Sequence, residues 1–286
     1  MGSAPSMRLG LIGDNIQRSK SPLLHRLAGD LCGLDIRYDI LIPPEMGMSF
    51  DDVFEQCRRS GYRGINVTYP YKEEVVSLMR VDDPRVAAIG ACNTVLFEEA
   101  GPSGFNTDYS GFVTAYRTTF PGRQPGIVAM AGAGGVGKAI GFALADLEAS
   151  ALRLFDRDRS KAEILMHALT RGVSNIEVSI AETIEQAVIG ADGLVNCTPL
   201  GMIGQPGTAI PKRLLGSQRW AFDAVYTPVE TEFLADVRSY GLEIMSGYEL
   251  FFYQGLDAFR LFTGQSIDLG ELRELLNQKK DEMRSP

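Results

Sequence analysis

The chain has 286 residues and carries 28 basic and 36 acidic side chains, for a formal net charge of -8. This length predicts two compact lobes rather than one, and a composition of 45% hydrophobic and 22% charged residues is typical of a soluble globular protein. The acidic balance and the lack of basic runs argue against nucleic-acid binding, and no apolar run approaches the roughly 20 residues that span a bilayer.

Strands alternate with helices along the first part of the chain. The predicted elements are strand 8–13, helix 21–33, strand 37–42, helix 49–61, strand 62–67, an amphipathic helix after "TYP", helix 82–91, a hairpin formed by 92–99 and 104–108, and helix 109–119. The segment "FPGRQPG" that follows has the composition of a turn and is predicted to be a hinge.

A second alternating set begins at residue 126. Its predicted elements are strand 126–132, helix 137–148, strand 151–156, helix 159–170, strand 176–180, helix 182–189, strands 193–197 and 220–226, helix 229–239, strand 243–247 and two helical segments, 248–264 and 268–283. Strands separated by helices predict parallel sheets with right-handed crossovers. We therefore expect an α/β fold with two open-sheet lobes and a cleft between them, the second lobe being a Rossmann domain.

Cysteine and histidine usage narrows the chemistry. Cys32, Cys57, Cys92 and Cys197 are scattered without a C-x-x-C pair, which indicates free thiols in a reducing cytoplasm and argues against a metal site. With only His25 and His167, a site built on several histidines is excluded, and His25 is interpreted as structural. The N-terminal "MGSAPSM" lacks the charged start and apolar core of a secretory signal.

The sequence "GAGGVG" follows an apolar strand and opens a helix, as a dinucleotide-binding loop does. Its residues are Gly132, Ala133, Gly134, Gly135, Val136 and Gly137. Glycines allow a tight turn and let backbone N–H groups approach a pyrophosphate at the helix N-terminus, although an ordinary strand-to-helix turn is the alternative. The next strand ends in Asp156, at the spacing of a ribose-binding carboxylate, for which a helix N-cap is the alternative. The pattern favours a hydride-transfer enzyme.

Such an enzyme needs a proton acceptor, and with so few histidines lysine becomes a candidate. In "GINVTYPYKEEVV", Lys72 is predicted to lie in the first turn of a helix. The partial positive charge of a helix N-terminus disfavours an ammonium group there, which suits a group that accepts a proton. The alternative for any lysine is a solvated surface residue.

Eight motifs occur in one order along the chain: "SKSP", "NVTYPYK", "GACNT", "NTD", "GAGGVG", "NCTPLGM", "DAVYTPVET" and a glycine followed seven residues later by glutamine. This set resembles the shikimate dehydrogenase family, and closely its quinate/shikimate dehydrogenase branch, from about Leu9 to Gly264. The resemblance implies an NAD(P)-dependent dehydrogenase that interconverts shikimate and 3-dehydroshikimate, and quinate and 3-dehydroquinate as a second pair. It implies a substrate-binding and catalytic domain, 1–110 completed by helices 248–286, and an NAD-binding Rossmann domain, 111–247.

The resemblance also implies roles for individual residues. Lys72 matches the catalytic lysine and Asp108 its acidic partner, although Asp108 has an N-cap alternative. The matched substrate-binding residues are Ser19, Ser21, Thr68, Asn93, Tyr226 and Gln254, and those around the nicotinamide are Thr198, Met202 and Gly247. Each has a structural alternative: capping for Ser21, backbone satisfaction for Thr68, Asn93 and Gln254, a half-buried aromatic for Tyr226 and core filling for Met202.

Two departures from the family bear on specificity. Where the family often has a methionine before its glutamine, this chain has "GYELFFYQ" with Leu250, so shikimate, quinate and an amino analogue all stay open as substrates. Where NADP-using members have "NRT", this chain has "DRD", which predicts NAD as the preferred cofactor, although Arg157 and Lys161 leave room for NADP. The serine pair favours shikimate.

Two other functions also remain open: a low-turnover NAD-binding sensor on the same fold, and a two-lobed folate or amino-acid dehydrogenase. The presence of both Lys72 and Asp108 argues against the sensor. The residues of the first lobe that match the family's binding groups for a carboxylate and for ring hydroxyls argue against the other dehydrogenases. We expect a small-molecule substrate, no membrane or nucleic-acid partner, and a monomer or homodimer.

Overall fold

The structure, a computed structural model, describes residues 6–172 and 176–282. Two predictions extend beyond the described residues. Residues 1–5 of the N-terminal segment "MGSAPSM", for which no secretory signal is predicted, lie outside them, and so does residue 283 of the predicted helix 268–283. The chain divides into two compact units, of which unit 1 comprises residues up to 83, 91–107 and from 255 onward, and unit 2 comprises 84–90 and 108–254.

Unit 1 is built on a five-stranded mixed sheet. Its strands are β1 (Ser6–Ile12), β2 (Asp35–Leu41), β3 (Gly64–Val67), β4 (Thr94–Glu98) and β5 (Gly101–Phe105). The order is β2-β1-β3-β4-β5, with β1 parallel to β2 and β3. The strands β4 and β5 form the predicted hairpin and run antiparallel, so the expected parallel arrangement holds for one half of this sheet only.

The helices of this unit cover the sheet with aromatic and aliphatic side chains. They are α1 (Ser21–Leu31), α2 (Pro43–Met46), α3 (Phe50–Arg59), α11 (Leu269–Glu282) and the second half of α10 (Gly247–Thr263). α3 begins where Ser49 accepts the backbone N–H of Asp52, a typical N-cap. His25 on α1 is buried and stacks on Tyr38 with ring centroids 4.8 Å apart, as its structural interpretation predicts.

Unit 2 has a six-stranded sheet in which every pairing is parallel. Its strands are β6 (Ile127–Ala131), β7 (Ala151–Phe155), β8 (Glu177–Ile180), β9 (Gly193–Asn196), β10 (Trp220–Asp223) and β11 (Glu243–Met245), in the order β11-β10-β9-β6-β7-β8. This is the strand order of a Rossmann fold, so the predicted α/β class with two sheet-based lobes, the second a Rossmann domain, is confirmed. Such a sheet places its ligand site at the carboxyl ends of the strands, where the order reverses between β6 and β9.

The helices of unit 2 connect these strands. They are α4 (Pro84–Ile89), α5 (Thr107–Thr119, from Asp108 onward), α6 (Gly135–Asp146), α7 (Arg159–Gly172), α8 (Ile184–Val188), α9 (Glu232–Ser239) and the first half of α10. β6 and β9 are almost fully buried, as expected for central strands covered by helices on both faces.

One predicted element is wrong. After "TYP" the chain forms turns and then a 3₁₀ helix, Glu74–Leu78, so Lys72 does not lie in the first turn of an α-helix. Pro70 restricts the backbone before it, and only Val75 of this short helix is buried, too narrow an apolar face to stabilise a regular helix. The argument from a helix N-terminus therefore does not apply to Lys72. The short helix α2 and a second 3₁₀ helix, Lys212–Leu214, were not predicted.

Within the described parts of the chain, every helix is too short or too polar to cross a membrane. No group of three or more His, Cys, Asp and Glu residues in those same parts could hold a metal ion.

Candidate active site

In unit 1, the candidate proton acceptor Lys72 is a buried cationic side chain. It is only 8% exposed, and its carbonyl oxygen accepts the backbone N–H of Cys92 at 2.8 Å. Lysine is rarely buried to this degree, because removing the ammonium group from water costs free energy. The alternative that Lys72 is a solvated surface residue is therefore wrong. Its burial, and not a position at a helix N-terminus, is what distinguishes it from an ordinary lysine.

Ser19 and Ser21, the candidate carboxylate-binding pair, lie together at the start of α1. The Ser19 hydroxyl donates to Ser21 Oγ at 3.2 Å and accepts the Ser21 backbone N–H at 3.3 Å. α1 begins at Ser21 itself, and Lys20 occupies its N-cap position without a side-chain cap. The capping alternative is thus wrong for Ser21 and applies weakly to Ser19. Two adjacent, half-buried hydroxyls at the start of a helix are suited to an anion.

Thr68 directly follows β3 and is half-buried. Its backbone N–H donates to Ile12 at 2.9 Å and its carbonyl accepts from Tyr71 at 2.9 Å, so backbone bonds fix its position. A Cβ at Gly13 would lie 2.3 Å from Thr68 Cγ2. Glycine at position 13 therefore leaves the space that the Thr68 side chain occupies.

Asn93 belongs to a buried network of neutral side chains at the ends of β3 and β4. Its Oδ1 accepts the backbone N–H of Thr107 at 2.7 Å, and its Nδ2 lies 3.0 Å from Thr107 Oγ1. Asn66 donates to Thr94 Oγ1 at 3.0 Å and accepts from the Tyr38 hydroxyl at 2.8 Å. Asn93, which is 3% exposed, therefore serves in part to accept a hydrogen bond from a buried backbone N–H group, as its structural alternative predicts.

Three candidate residues fall in unit 2 near its helices α5 and α10. Asp108 is 5% exposed and is the second residue of α5, so it does not occupy the N-cap position. The Gln254 side-chain amide donates to the backbone carbonyl of Phe251 in α10 at 2.9 Å, so it hydrogen-bonds the backbone as its structural alternative predicts. Tyr226 is half-buried and stacks on Phe251 with ring centroids 5.0 Å apart. Of the three residues, Asp108 is the buried acidic one.

The loop "GAGGVG" between β6 and α6 requires glycine at two positions for steric reasons. Gly132 has φ +97°, and a Cβ there would lie 2.7 Å from the Cys197 carbonyl carbon. A Cβ at Gly137 would lie 2.2 Å from the Gly132 oxygen. By contrast, a Cβ at Gly134 would meet nothing within 4 Å, so open space lies beside the N-terminus of α6.

Asp156 is tied to this loop by backbone hydrogen bonds. Its Oδ2 accepts the N–H of Ala133 at 2.8 Å and its Oδ1 accepts the N–H of Asp158 at 2.9 Å. The N-cap alternative is wrong for Asp156, because Asp158 performs that role by accepting the N–H of Ser160 at 3.1 Å. The Ser160 hydroxyl also donates to Asp158 and holds the pKa of its carboxyl below the usual value. Arg157 and Lys161 are exposed.

The remaining candidates lie in the loop after β9 and at the start of α10. Thr198 donates its hydroxyl to Asn196 Oδ1 at 2.7 Å. Met202 is half-exposed, so it is not a core filler. Gly247 begins α10, and a Cβ there would lie 2.5 Å from the Val225 oxygen.

Sequence reasoning missed three polar residues, Asn196 at the end of β9, Asp223 at the end of β10 and Thr231 at the start of α9. Asp223 is fully buried and accepts hydrogen bonds from Asn196 at 2.9 Å and Thr231 at 2.5 Å. Burial raises the pKa of Asp223 to about 6. All three lie within the quoted motifs "NCTPLGM" and "DAVYTPVET". For Asn196 and Asp223, a polar residue that ends an apolar strand was the available signal.

These residues of unit 2 fit a nicotinamide dinucleotide. The space at Gly134 and the N-terminus of α6 suit a pyrophosphate, and Asp156 at the end of β7 suits a ribose hydroxyl. Thr198 and Met202, which the family resemblance assigns to the nicotinamide, follow β9, and Gly247, assigned likewise, begins α10.

Comparison with known proteins covers nearly the whole chain. Residues 11–95 match the family model of the shikimate dehydrogenase substrate binding domain. A quinate/shikimate dehydrogenase (NAD(+)) of Corynebacterium efficiens is 36% identical over 94% of this chain and 96% of that protein. A shikimate dehydrogenase (NADP(+)) of Pseudarthrobacter chlorophenolicus is 35% identical over 94% of this chain and 93% of that protein. The structure of quinate dehydrogenase from Corynebacterium glutamicum in complex with NAD is similar with a TM-score of 0.86, at 33% identity and with 96% and 99% of the two chains covered.

Proposed function

This chain belongs to the shikimate and quinate dehydrogenase family of oxidoreductases, and on that premise we propose that it interconverts shikimate and 3-dehydroshikimate. Quinate and 3-dehydroquinate form the second substrate pair. The observation that carries the proposal is the burial of Lys72, a lysine that the family motif identifies as catalytic and that is 8% exposed here.

The proposed mechanism assigns each step to residues of this chain. Lys72 takes the proton of the substrate hydroxyl as it is oxidised, and Asp108 is its acidic partner. Ser19 and Ser21 bind the substrate carboxylate, while Thr68, Asn93 and Gln254 bond the ring hydroxyls and Tyr226 lies near the carboxylate. A bound nicotinamide dinucleotide supplies the hydride acceptor.

The proposed domains follow from these roles. Residues 1–110, completed by 248–286, bind the substrate and carry the catalytic lysine, and residues 111–247 bind the dinucleotide. The cytoplasm is the proposed compartment, where buried thiols such as Cys57, whose pKa is raised to about 12 by burial, stay reduced and inert.

The activity is tested by following NADH or NADPH formation at 340 nm with shikimate and with quinate. We expect turnover with shikimate, and slower turnover with quinate. If neither compound reduces either cofactor while the protein still binds NADH, the proposed reaction is wrong and a sensor on the same fold becomes the better description.

NAD is the proposed preferred cofactor, by at least about tenfold in kcat/KM, which corresponds to about 1.4 kcal/mol. The Asp156 carboxylate lies at the end of β7 and can accept hydrogen bonds from ribose hydroxyls, whereas a 2′-phosphate would meet like charge there. Arg157 and Lys161 would partly offset that repulsion.

The double variant Asp156→Asn, Asp158→Thr should shift the preference toward NADP. Threonine keeps an N-cap on α7, so the change removes charge at little cost to the helix. Replacement of Asp158 by threonine alone is the matched control and should shift the preference less. Equal kcat/KM with NAD and NADP in the unmodified protein would contradict the proposed preference.

A further inference from the structure

Asp223 is a buried carboxylate of unit 2 that the proposed mechanism does not use. Asp223 is the last residue of β10 and has no solvent exposure. Its two oxygens accept hydrogen bonds from Asn196 Nδ2 at 2.9 Å, the Val225 N–H at 3.0 Å and Thr231 Oγ1 at 2.5 Å. A buried carboxylate is tolerated only where donors satisfy it, and here each donor comes from a different place in the chain.

The Asn196 donor connects the carboxylate to the loop after β9. Asn196 Oδ1 accepts both the N–H and the hydroxyl of Thr198, at 3.0 and 2.7 Å, and its amide also donates to the Leu200 carbonyl at 3.2 Å. A Cβ at Gly132 would lie 2.9 Å from the Thr198 nitrogen. The loop that Asn196 fixes is therefore in close contact with the dinucleotide-binding turn.

The other two donors fix the segment after β10. Val225 directly precedes Tyr226, and its carbonyl lies where any side chain at Gly247 would collide, 2.5 Å from the position of a Cβ. Thr231 caps α9 by accepting the N–H of Leu234 at 3.2 Å. Asp223 thus holds both ends of the segment 225–231.

We infer that Asp223 is a positioning residue that holds the two loops at the nicotinamide end of the dinucleotide site. The loops carry Thr198 and Met202 on one side and Tyr226 on the other, so the inference rests on the proposed function of those residues. A carboxylate suits this place because it only accepts hydrogen bonds, and all three of its partners donate.

The test compares NADH with ADP-ribose, which lacks the nicotinamide ring, by isothermal titration calorimetry. Asp223→Asn keeps the shape of the side chain, and its amide nitrogen can face the Thr231 hydroxyl, so the variant should fold. We expect the Kd for NADH to rise by about tenfold, because a neutral amide holds Asn196 and Thr231 less strongly than a carboxylate does, and the Kd for ADP-ribose to stay within about twofold.

Two further variants separate positioning from general stability. Thr231→Val removes one donor to Asp223 and should reproduce the selective loss of NADH binding, whereas Thr231→Ser keeps the hydroxyl and should behave as the unmodified protein. An equal loss for both ligands, or no loss for either, would overturn the inference and leave Asp223 with a stabilising role only. If the unmodified protein binds neither ligand, the proposed cofactor itself is wrong and the inference falls with it.

Discussion

The two units of this chain bury polar side chains at the ends of their central strands in different ways. In unit 1, next to β3 and β4, neutral groups alternate as donors and acceptors, from Tyr38 through Asn66 to Thr94. In unit 2, next to β9 and β10, donors converge on the carboxylate of Asp223. β3 and β4 are antiparallel, whereas β9 and β10 are parallel, and both arrangements adjoin residues assigned to the proposed reaction.

The difference suits the separate roles proposed for the two units. A neutral network fixes Asn93 without adding charge to a unit that is proposed to bind an anionic substrate and hold a buried lysine. A carboxylate that accepts hydrogen bonds from several loops holds those loops in place, and a dinucleotide site at the strand ends requires loops in fixed positions. If the roles divide in this way, changes at Lys72, Ser19 and Ser21 should leave dinucleotide binding intact, and the two units should differ in acid sensitivity and in the stability effect of a buried tyrosine hydroxyl.

The largest expected effect is the loss of turnover in Lys72→Ala. Removing a positioned proton acceptor typically costs about 100- to 10,000-fold in kcat, and Asp108→Ala should be nearly as severe. Because the dinucleotide residues lie in unit 2, the Kd for NADH should not change in the Lys72 variant. Steady-state assays at 340 nm and NADH titration measure the two quantities.

Lys212→Ala is the matched control for this experiment. Lys212 is an exposed lysine paired with Asp236 at 2.9 Å, so its removal should leave kcat unchanged. A Lys72 variant that retains more than about a third of the normal rate would show that Lys72 is not the proton acceptor.

The units also differed in how well the sequence predicted them. The dinucleotide loop could be derived from "GAGGVG" because Gly132 and Gly137 are required by contacts shorter than 3 Å, a local constraint that leaves a local pattern. No comparable pattern marks Ser19, Thr68 or Asn93, which are single polar residues assigned only through the family resemblance.

The errors have the same origin. The 3₁₀ helix after Lys72 was predicted as a regular helix because periodicity does not show that only Val75 is buried. Asp223 was missed because its donor Asn196 is distant in sequence and lies beside it only when β9 and β10 pair. Strands and helices were predicted well because each depends on its own periodicity.

The next largest effect is expected at the anion site of unit 1. The double variant Ser19→Ala, Ser21→Ala should raise the KM for shikimate more than it lowers kcat. One hydrogen bond to a charged group is worth about 1.5–3 kcal/mol, or about 10- to 150-fold. Since the two hydroxyls are themselves hydrogen-bonded at 3.2 Å, the single variants should not be additive.

The KM for NAD should be unchanged in the same double variant, because the dinucleotide residues belong to unit 2. Ser77→Ala is the control, as the Ser77 hydroxyl is exposed and donates only to the Glu74 carbonyl. Normal shikimate kinetics in the double variant would exclude this pair as the carboxylate site.

Acid sensitivity should have opposite signs in the two units. Burial lowers the pKa of His25 to about 3, so as pH falls below 6.5 the unfolded chain takes up a proton that the folded chain does not, and stability is lost. Burial raises the pKa of Asp223 to about 6, so its contribution to stability is lost as pH rises from 3.8 to 6.

The variant His25→Gln isolates the histidine contribution. Between pH 7.5 and pH 5, the unmodified protein should lose about 2 kcal/mol more free energy of unfolding than this variant, measured by urea denaturation at both pH values. His167→Gln, which changes the exposed histidine of α7, should lose as much as the unmodified protein. An identical pH dependence for His25→Gln would mean that His25 takes up a proton in the folded chain.

The smallest effect compares one buried tyrosine hydroxyl in each unit. In unit 2, Tyr116 is fully buried between Phe112, Phe120 and Trp220, and its hydroxyl has no hydrogen-bond partner among the described residues. In unit 1, the Tyr62 hydroxyl donates to Asp39 at 2.6 Å. An unpaired buried hydroxyl keeps its cost of leaving water, whereas a paired one recovers it.

Tyr116→Phe should therefore raise the free energy of unfolding by about 1 kcal/mol, because it removes an unsatisfied polar atom and keeps the ring contacts. Tyr62→Phe, the matched change in unit 1, should lower it by about 1.5 kcal/mol, because the Asp39 carboxylate loses a donor. Urea denaturation at pH 7.5 measures both changes. Destabilisation of similar size in the two variants would mean that Tyr116 also has a hydrogen-bond partner in solution, such as a buried water, and that the two units satisfy their buried hydroxyls equally well.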